Sequence, residues 1–372
     1  MRLYSKGLIL FSLSASISLP LFNNADAATP QVRGQWMGAM GESGLRRFYS
    51  AGGDFGEVVN RLVSYQTANR IWNAQQSSAN PPAPTDMESR TDSWAIQNDS
   101  LIPVATDHER PVYARVMVRL AGREEQGLME STSDRLDLGV LYAPTQTSYI
   151  GIGVAIDESA SDVLYANGRA RGQSFGPRFD AGIVLGPVWS AAIRYDYLMY
   201  NGNSTVNVRT ATGPLTISRD SAYDRQYLQA GVLARFNESR LEWLPSRSTL
   251  NFDVALQMVR NHHEPKTDSL GRVTSEPFGY DEHLAVLRST VGLTRPLDET
   301  GNWSVTGRVG LDYEVDTNMN FPIDDRTGMV YSAALVYQLA RGKRVQILLD
   351  RYQHADDYRS RNSVTLIGVI DF

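Results

Sequence analysis

The residues best equipped for chemistry are few and scattered. His262-His263-Glu264 sets two imidazoles beside a carboxylate. Rings on adjacent residues do not turn to one ion without a special backbone, and there is no H-E-x-x-H helix, so no metal site is expected. Asp324-Asp325 together with His354, Asp356 and Asp357 make a second acidic set. Brought together, such groups could activate water; apart, they are solvated loop charges. Gly41-Glu42-Ser43-Gly44-Leu45 lacks the spacing of a G-x-S-x-G nucleophile turn. No glycine fingerprint for phosphate follows a strand and opens a helix. The chain has no Cys, which removes thiolate ligands, cysteine nucleophiles and disulfides together. These features lead us to expect no enzyme activity, no cofactor and no metal.

A larger charged set recurs at even spacing. Arg115, Arg119, Asp137, Arg178, Asp180, Arg194, Asp196, Arg235, Asp253, Arg288, Arg308, Asp312, Glu314 and Asp350 each alternate with apolar neighbours. Period two sends them to one face of a strand and the apolar residues to the other. A mixture of signs on one enclosed face suits either a structural ion-pair network or a selective pore lining.

The elements carrying these charges are long alternating strands. Trp303, Val305, Gly307, Val309, Leu311, Tyr313 and Val315 alternate with Ser304, Thr306, Arg308, Gly310, Asp312 and Glu314. Leu250, Phe252, Val254, Leu256 and Met258 repeat the pattern, as do Met329, Tyr331, Ala333, Leu335, Tyr337 and Leu339. About twelve strands follow, with ends uncertain by about two to four residues. They lie near 112–121, 134–143, 147–157, 177–186, 188–200, 224–236, 247–260, 284–295, 302–315, 328–341, 344–354 and 362–372.

The connections sort by parity. After odd-numbered strands they read as long polar loops (122–133, 158–176, 201–223, 261–283, 316–327, 355–361); after even-numbered ones most are short, with 237–246 the exception. That asymmetry belongs to an outer-membrane barrel, with short periplasmic turns and long outward loops. Trp303 and Tyr313 sit ten residues apart on one face, or roughly 25 Å along the membrane normal at ~3.3 Å per residue and a tilt near 40°. Trp189 and Tyr197 repeat this aromatic girdle less perfectly. Hydrocarbon offers no partner for an open sheet edge, so the first and last of the twelve strands are expected to pair. The expected fold is therefore all-β, a closed antiparallel transmembrane barrel of about twelve strands occupying 111–372.

The remainder reads differently. Arg2 and Lys6, the apolar run 7–22 and Ala25-Asp26-Ala27 form a secretory signal peptide over 1–27. That run is broken by Pro20, too short for a membrane helix. Residues 28–110 then form a short periplasmic or lumen-resident segment. Val58, Val59, Leu62, Tyr65 and Trp72 predict a helix near 56–76 with Asp54 as N-cap, and 77–110 reads as a polar linker containing Pro81-Pro82-Ala83-Pro84. A formal net charge of -5 and a pI near 5.6 give no reason to expect nucleic-acid binding.

From Val112 to Phe372 the chain resembles the C-terminal translocator domain of autotransporters, the type V secretion family. The resemblance lies in Arg119-Leu120-Ala121-Gly122-Arg123, Asp134-Arg135-Leu136-Asp137-Leu138-Gly139-Val140, Tyr149-Ile150-Gly151-Ile152-Gly153-Val154-Ala155, Gly172-Gln173-Ser174-Phe175-Gly176, Gly186-Pro187-Val188-Trp189 and Arg194-Tyr195-Asp196-Tyr197. Here about 84 residues precede the barrel, without the repeats of a long passenger. The resemblance implies a monomer in the outer membrane of a Gram-negative bacterium. Its partners would be membrane lipid and lipopolysaccharide, periplasmic chaperones, and the barrel-assembly machinery that reads a terminal aromatic, here Phe372. The alternatives are a small porin-like solute channel and a surface-contact protein acting through its outward loops.

Overall fold

The computed structural model describes residues 35–37, 39–40, 45, 59, 61, 89–104, 110–164, 167–210, 213–273, 280–319, 326–340, 342–355 and 359–371. Its strands are β1 (Ser89–Val104), β2 (Val112–Glu125), β3 (Met129–Tyr142), β4 (Ser148–Val163), β5 (Gly168–Val184), β6 (Trp189–Thr210) and β7 (Gly213–Asn237). They continue with β8 (Thr249–His263), β9 (Asp281–Pro296), β10 (Trp303–Thr317), β11 (Thr327–Ala340), β12 (Lys343–His354) and β13 (Arg359–Asp371). Each strand pairs with its neighbours in sequence, and β1 pairs with β13 to close the barrel.

The alternation expected for β2–β13 is present, but among the described residues the strands number thirteen rather than about twelve. The extra strand, β1, comes from the stretch expected to be linker. An up-and-down ring with an odd number of strands must contain one parallel pair. That pair is the seam, running in register from Ser89 against Arg359 to Leu101 against Asp371. The 112–121 strand therefore does not meet the last strand; β1 stands between them. The reason β1 was hidden is chemical. Its outward positions run Trp94, Ile96, Asn98, Ser100, Ile102, so two polar residues interrupt the apolar period. Asn98 Nδ2 donates to Ser100 Oγ at 3.2 Å, giving each a local partner.

The long polar loops are largely strand as well. β2 and β3 pair as far as Glu125 with Met129, and β6 and β7 pair from Trp189–Ala234 out to Thr210–Gly213. Beyond the lipid both faces are polar, so hydrophobic periodicity vanishes while the backbone ladder continues. Two short bridges, Arg219 with Asp268 and Thr267 with Val273, tie the β8–β9 connection to this extension. At the opposite end the turns are compact. Gly342 takes φ 77° between β11 and β12, and a Cβ there would sit 2.8 Å from the Asp371 carbonyl oxygen.

The outer wall carries the apolar side chains and leaves them bare. Ile152 is 64% exposed and Leu311 57%, and Phe179, Val254, Val309 and Leu349 are also open. A continuous apolar exterior of this kind is stable in hydrocarbon and not in water. Among the girdle residues, Trp189, Trp303 and Tyr313 are exposed on that surface. Trp303 stacks on Tyr337 with centroids 4.4 Å apart. Tyr197 is half-buried and donates from its hydroxyl to Asp224 at 2.6 Å.

Candidate functional site: the lumen

The inward faces divide into two arcs. On β2–β6 the charges are sealed: Arg115, Asp137, Arg178, Asp180, Arg194 and Asp196 are all at most 2% exposed. Period two along each strand and register across strands stack them into a ladder. Arg115 Nη1 donates to Asp180 at 3.2 Å; Arg178 bonds Asp180 at 3.1 Å and also Asp137; Arg194 bonds Asp196 at 2.6 Å. Arg135 joins the ladder, bridging Asp137 at 2.7 Å, Asp196 at 2.9 Å and Asp157 at 3.5 Å. The sequence reading left Arg135 out, although it lies two residues before Asp137 and so on the same face. Arg123 with Glu125 at 2.7 Å was missed because that stretch read as loop.

On β7–β13 the charges are less uniformly buried. Arg235, Arg288, Arg308 and Asp350 are half-buried, and Asp253 is buried at the wall. All five line a cavity of about 710 Å³, as does Arg119 on β2. Asp350 accepts from Ser332 at 2.5 Å and Ser363 at 3.4 Å, and Asp253 from Thr290 at 3.1 Å. Asp312 and Glu314 on β10 are buried and serve a different partner, described next.

Two parts of the N-terminal segment lie in contact with the inner wall. Trp36, in a short helical stretch, stacks on Tyr113 with centroids 4.8 Å apart and donates from Nε1 to the Ser148 carbonyl at 3.0 Å. With Met40, Leu45, Leu101, Leu141, Tyr149 and Leu233 it forms an apolar cluster at the compact-turn end. Tyr149 fits there because Gly182 opposite it has no side chain; a Cβ would fall 2.3 Å from the ring. Val59 and Arg61 are also helical; the rest of the helix predicted near 56–76, and its N-cap Asp54, lie outside the described residues. Val59 packs on a second apolar cluster containing Tyr227, Val259, Leu284 and Val286. Arg61 Nη2 donates to Asp312 at 2.5 Å, its Nη1 stands 3.9 Å from Glu314, and its guanidinium covers the Tyr352 ring at 4.3 Å. Arg288 holds the same Asp312 from the wall at 2.7 Å.

Asp312 lies nine residues up β10 from Trp303, roughly 20 Å above the compact-turn end at ~3.3 Å per residue and a tilt near 40°. Trp36 is at that end. The chain thus touches the wall low at Trp36 and high at Arg61, and re-enters it at Ser89, beside the β2–β3 hairpin.

The paired histidines separate. His262 Nδ1 meets Asp281 at 2.9 Å on the outer side, while His263 Nε2 meets Glu282 at 2.8 Å on the inner side and its ring lies 4.9 Å from Tyr223. Successive residues on a strand face opposite ways, so they cannot share an ion. His354 is buried inside, 3.2 Å from Arg359. Its suggested companions Asp324, Asp325, Asp356 and Asp357 lie outside the described residues, as do Phe372 and the whole of 1–27.

The fold, with its apolar exterior and its polar inward face, defines a closed membrane β-barrel. Among solved structures it is similar to the translocator domain of the autotransporter NalP from Neisseria meningitidis, at 10% identity and a TM-score of 0.45, over 80% of this chain and 92% of that one. The β-domain of the Bordetella autotransporter BrkA follows at 11% and 0.43, over 75% and 96%. The CymD monoaromatic hydrocarbon channel gives 12% and 0.42, over 73% and 86%. No family model and no curated protein matches the chain. Likenesses this remote describe architecture alone, and they fall on translocators and a channel alike.

Proposed function

We propose that the chain is an outer-membrane β-barrel of a Gram-negative bacterium whose lumen is threaded and closed by its own N-terminal segment. It is a translocator-type passage held shut, not an enzyme, and works among lipid, lipopolysaccharide and the barrel-assembly machinery. The observation that carries this is the pair of anchors at two levels: Trp36 in its apolar socket and Arg61 on Asp312 and Glu314. An arginine buried with carboxylates is costly to withdraw, because the partners would be left charged and unpaired. A stacked, buried tryptophan adds a second lock.

The test is planar-bilayer conductance of the intact chain against a deletion of 28–88, which spares β1. Removal through residue 110 would also take β1 and open the seam. A closed intact protein and a steadily conducting deletion are expected. Steady conductance in the intact chain would instead favour a solute channel, a reading supported by the cavity beside the segment. Protease cleavage between 62 and 88 on intact cells would show that the threaded segment reaches the outside.

A further inference from the structure

Among the described strands, β1 is the one that breaks the up-and-down order. From β2 to β13 each strand reverses the direction of the one before, so β2 and β13 are antiparallel to each other, and β1 stands between them with its parallel side on β13. The two flanking strands already match. Trp94 pairs with Val364 on one side and Gly122 on the other, Ile96 with Leu366 and Leu120, Asn98 with Gly368 and Val118, and Ser100 with Ile370 and Val116. Without β1 those residues come opposite one another with the same parity, outward against outward. An antiparallel ladder then closes the ring and leaves no edge in hydrocarbon. β1 itself has polar Asn98 and Ser100 at outward positions. It also holds β13 through parallel pairing, the weaker kind per residue. Its departure exchanges two ladders for one, which makes the ring without β1 the minor form.

We infer that β1 is an exchangeable strand. The wall has two closed forms, one with β1 in the seam and one with β2 paired directly to β13. A displaced β1 of 16 residues frees roughly 50 Å of chain at ~3.3 Å per residue. That slack lies directly after the segment anchored at Trp36 and Arg61, so the seam strand is a latch on the segment. The latch rests on the threaded lumen proposed above; the exchange concerns the wall alone.

The chain has no Cys, so thiol pairs introduced into the full-length protein in outer-membrane vesicles report the exchange directly. Asn98→Cys with Gly368→Cys joins register partners of the form with β1 in place. Val118→Cys with Gly368→Cys spans two strand spacings, about 9.6 Å, beyond the reach of a disulfide, and closes only when β1 has left. Val116→Cys or Leu120→Cys with Gly368→Cys covers a register shift of two. Under copper phenanthroline, the first pair should oxidise rapidly and completely. At least one of the others should accumulate an intramolecular bond more slowly, read on the folded, heat-modifiable band. Adding Asn98→Pro, which removes a ladder donor from β1, should raise that slower rate several-fold. Folded protein that never joins Gly368→Cys to β2 while the β1 pair reacts to completion would overturn the inference, as would a slow rate that Asn98→Pro leaves unchanged. Conductance after deletion of 28–88 tests closure and these cross-links test the strand, so either reading can fail alone.

Discussion

The two arcs of the inner wall hold the same residue types in opposite conditions. On β2–β6 every arginine named in the ladder meets a carboxylate and neither partner sees water. On β7–β13 arginines outnumber carboxylates at the cavity surface. The difference is local stoichiometry set by register. β3, β5 and β6 each carry an Arg and an Asp two residues apart, Arg135 and Asp137, Arg178 and Asp180, Arg194 and Asp196, so each strand brings its own counter-ion to the same face. On the other arc Arg235, Arg308 and Arg344 have no carboxylate two residues away on their own strands; Asp312, four residues beyond Arg308, holds Arg61 and Arg288. An Arg and an Asp two residues apart on a strand bring each cation its counter-ion on the same face.

The strongest way to break this comparison is to remove one member of the ladder. Arg178→Leu leaves Asp137 and Asp180 buried beside lost partners and should cost about 3–5 kcal/mol. Arg308→Gln, at a half-buried position on the cavity wall, should cost less, about 1 kcal/mol. Urea unfolding of both variants in detergent, followed by tryptophan fluorescence, checks the contrast. Equal losses would mean that the open arc is as tightly coupled as the sealed one.

Anchoring of the segment tests which arc it depends on. Arg61→Ala removes a buried cation from Asp312 and Glu314, and Trp36→Ala empties the apolar socket by the sealed arc. Truncating a buried Trp costs about 3–5 kcal/mol of packing, but here it falls on docking of the segment rather than on the backbone ladder. Each variant should raise bilayer conductance while the barrel's resistance to heat on gels stays near that of the parent. Loss of that resistance in Trp36→Ala would show that the socket holds the wall together.

Asp157 marks the boundary between the arcs. It lines the cavity, yet it lies 3.5 Å from Arg135 and accepts from Ser174 at 3.2 Å. Asp157→Asn keeps the shape and removes one charge, so a loss of about 1 kcal/mol, well short of that for Arg178→Leu, is expected by urea unfolding. A value matching Arg178→Leu would extend the sealed arc to β4's upper half.

How much of this was legible beforehand follows from which physical signal each part leaves. Lipid on one side and charge on the other imprint period two, so β10, with Trp303 through Val315 outward, could be read directly. The alternation fails where both faces meet water, which is why the paired extensions of β6 and β7 read as loop. It fails again at β1, where Asn98 and Ser100 interrupt the outer face. Parity along each strand is what assigns the fourteen charged positions to the inward face. Which of them would be sealed and which open was not readable, since it depends on cross-strand register and on where Trp36 and Arg61 dock. Neither leaves a trace in local spacing.

A turn outside both arcs supplies the smallest test and the reference for the others. Between β9 and β10, Asp298 accepts from the Thr300 hydroxyl, from the Trp303 amide at 3.0 Å and from backbone amides of the same turn. The Thr300 hydroxyl, ahead of the backbone donors, holds its carboxyl below the ordinary carboxylate range. A group with a folded pKa below its unfolded one adds stability above the unfolded pKa and loses it as pH falls through the folded value. Asp298→Asn should therefore unfold slightly earlier than the parent at neutral pH, and the two midpoints should converge in acid. Because this carboxylate sits in water, its effect should be far smaller than that of Arg178→Leu. A pH-independent gap between the two proteins would mean that the turn depends on the side chain's shape rather than its charge.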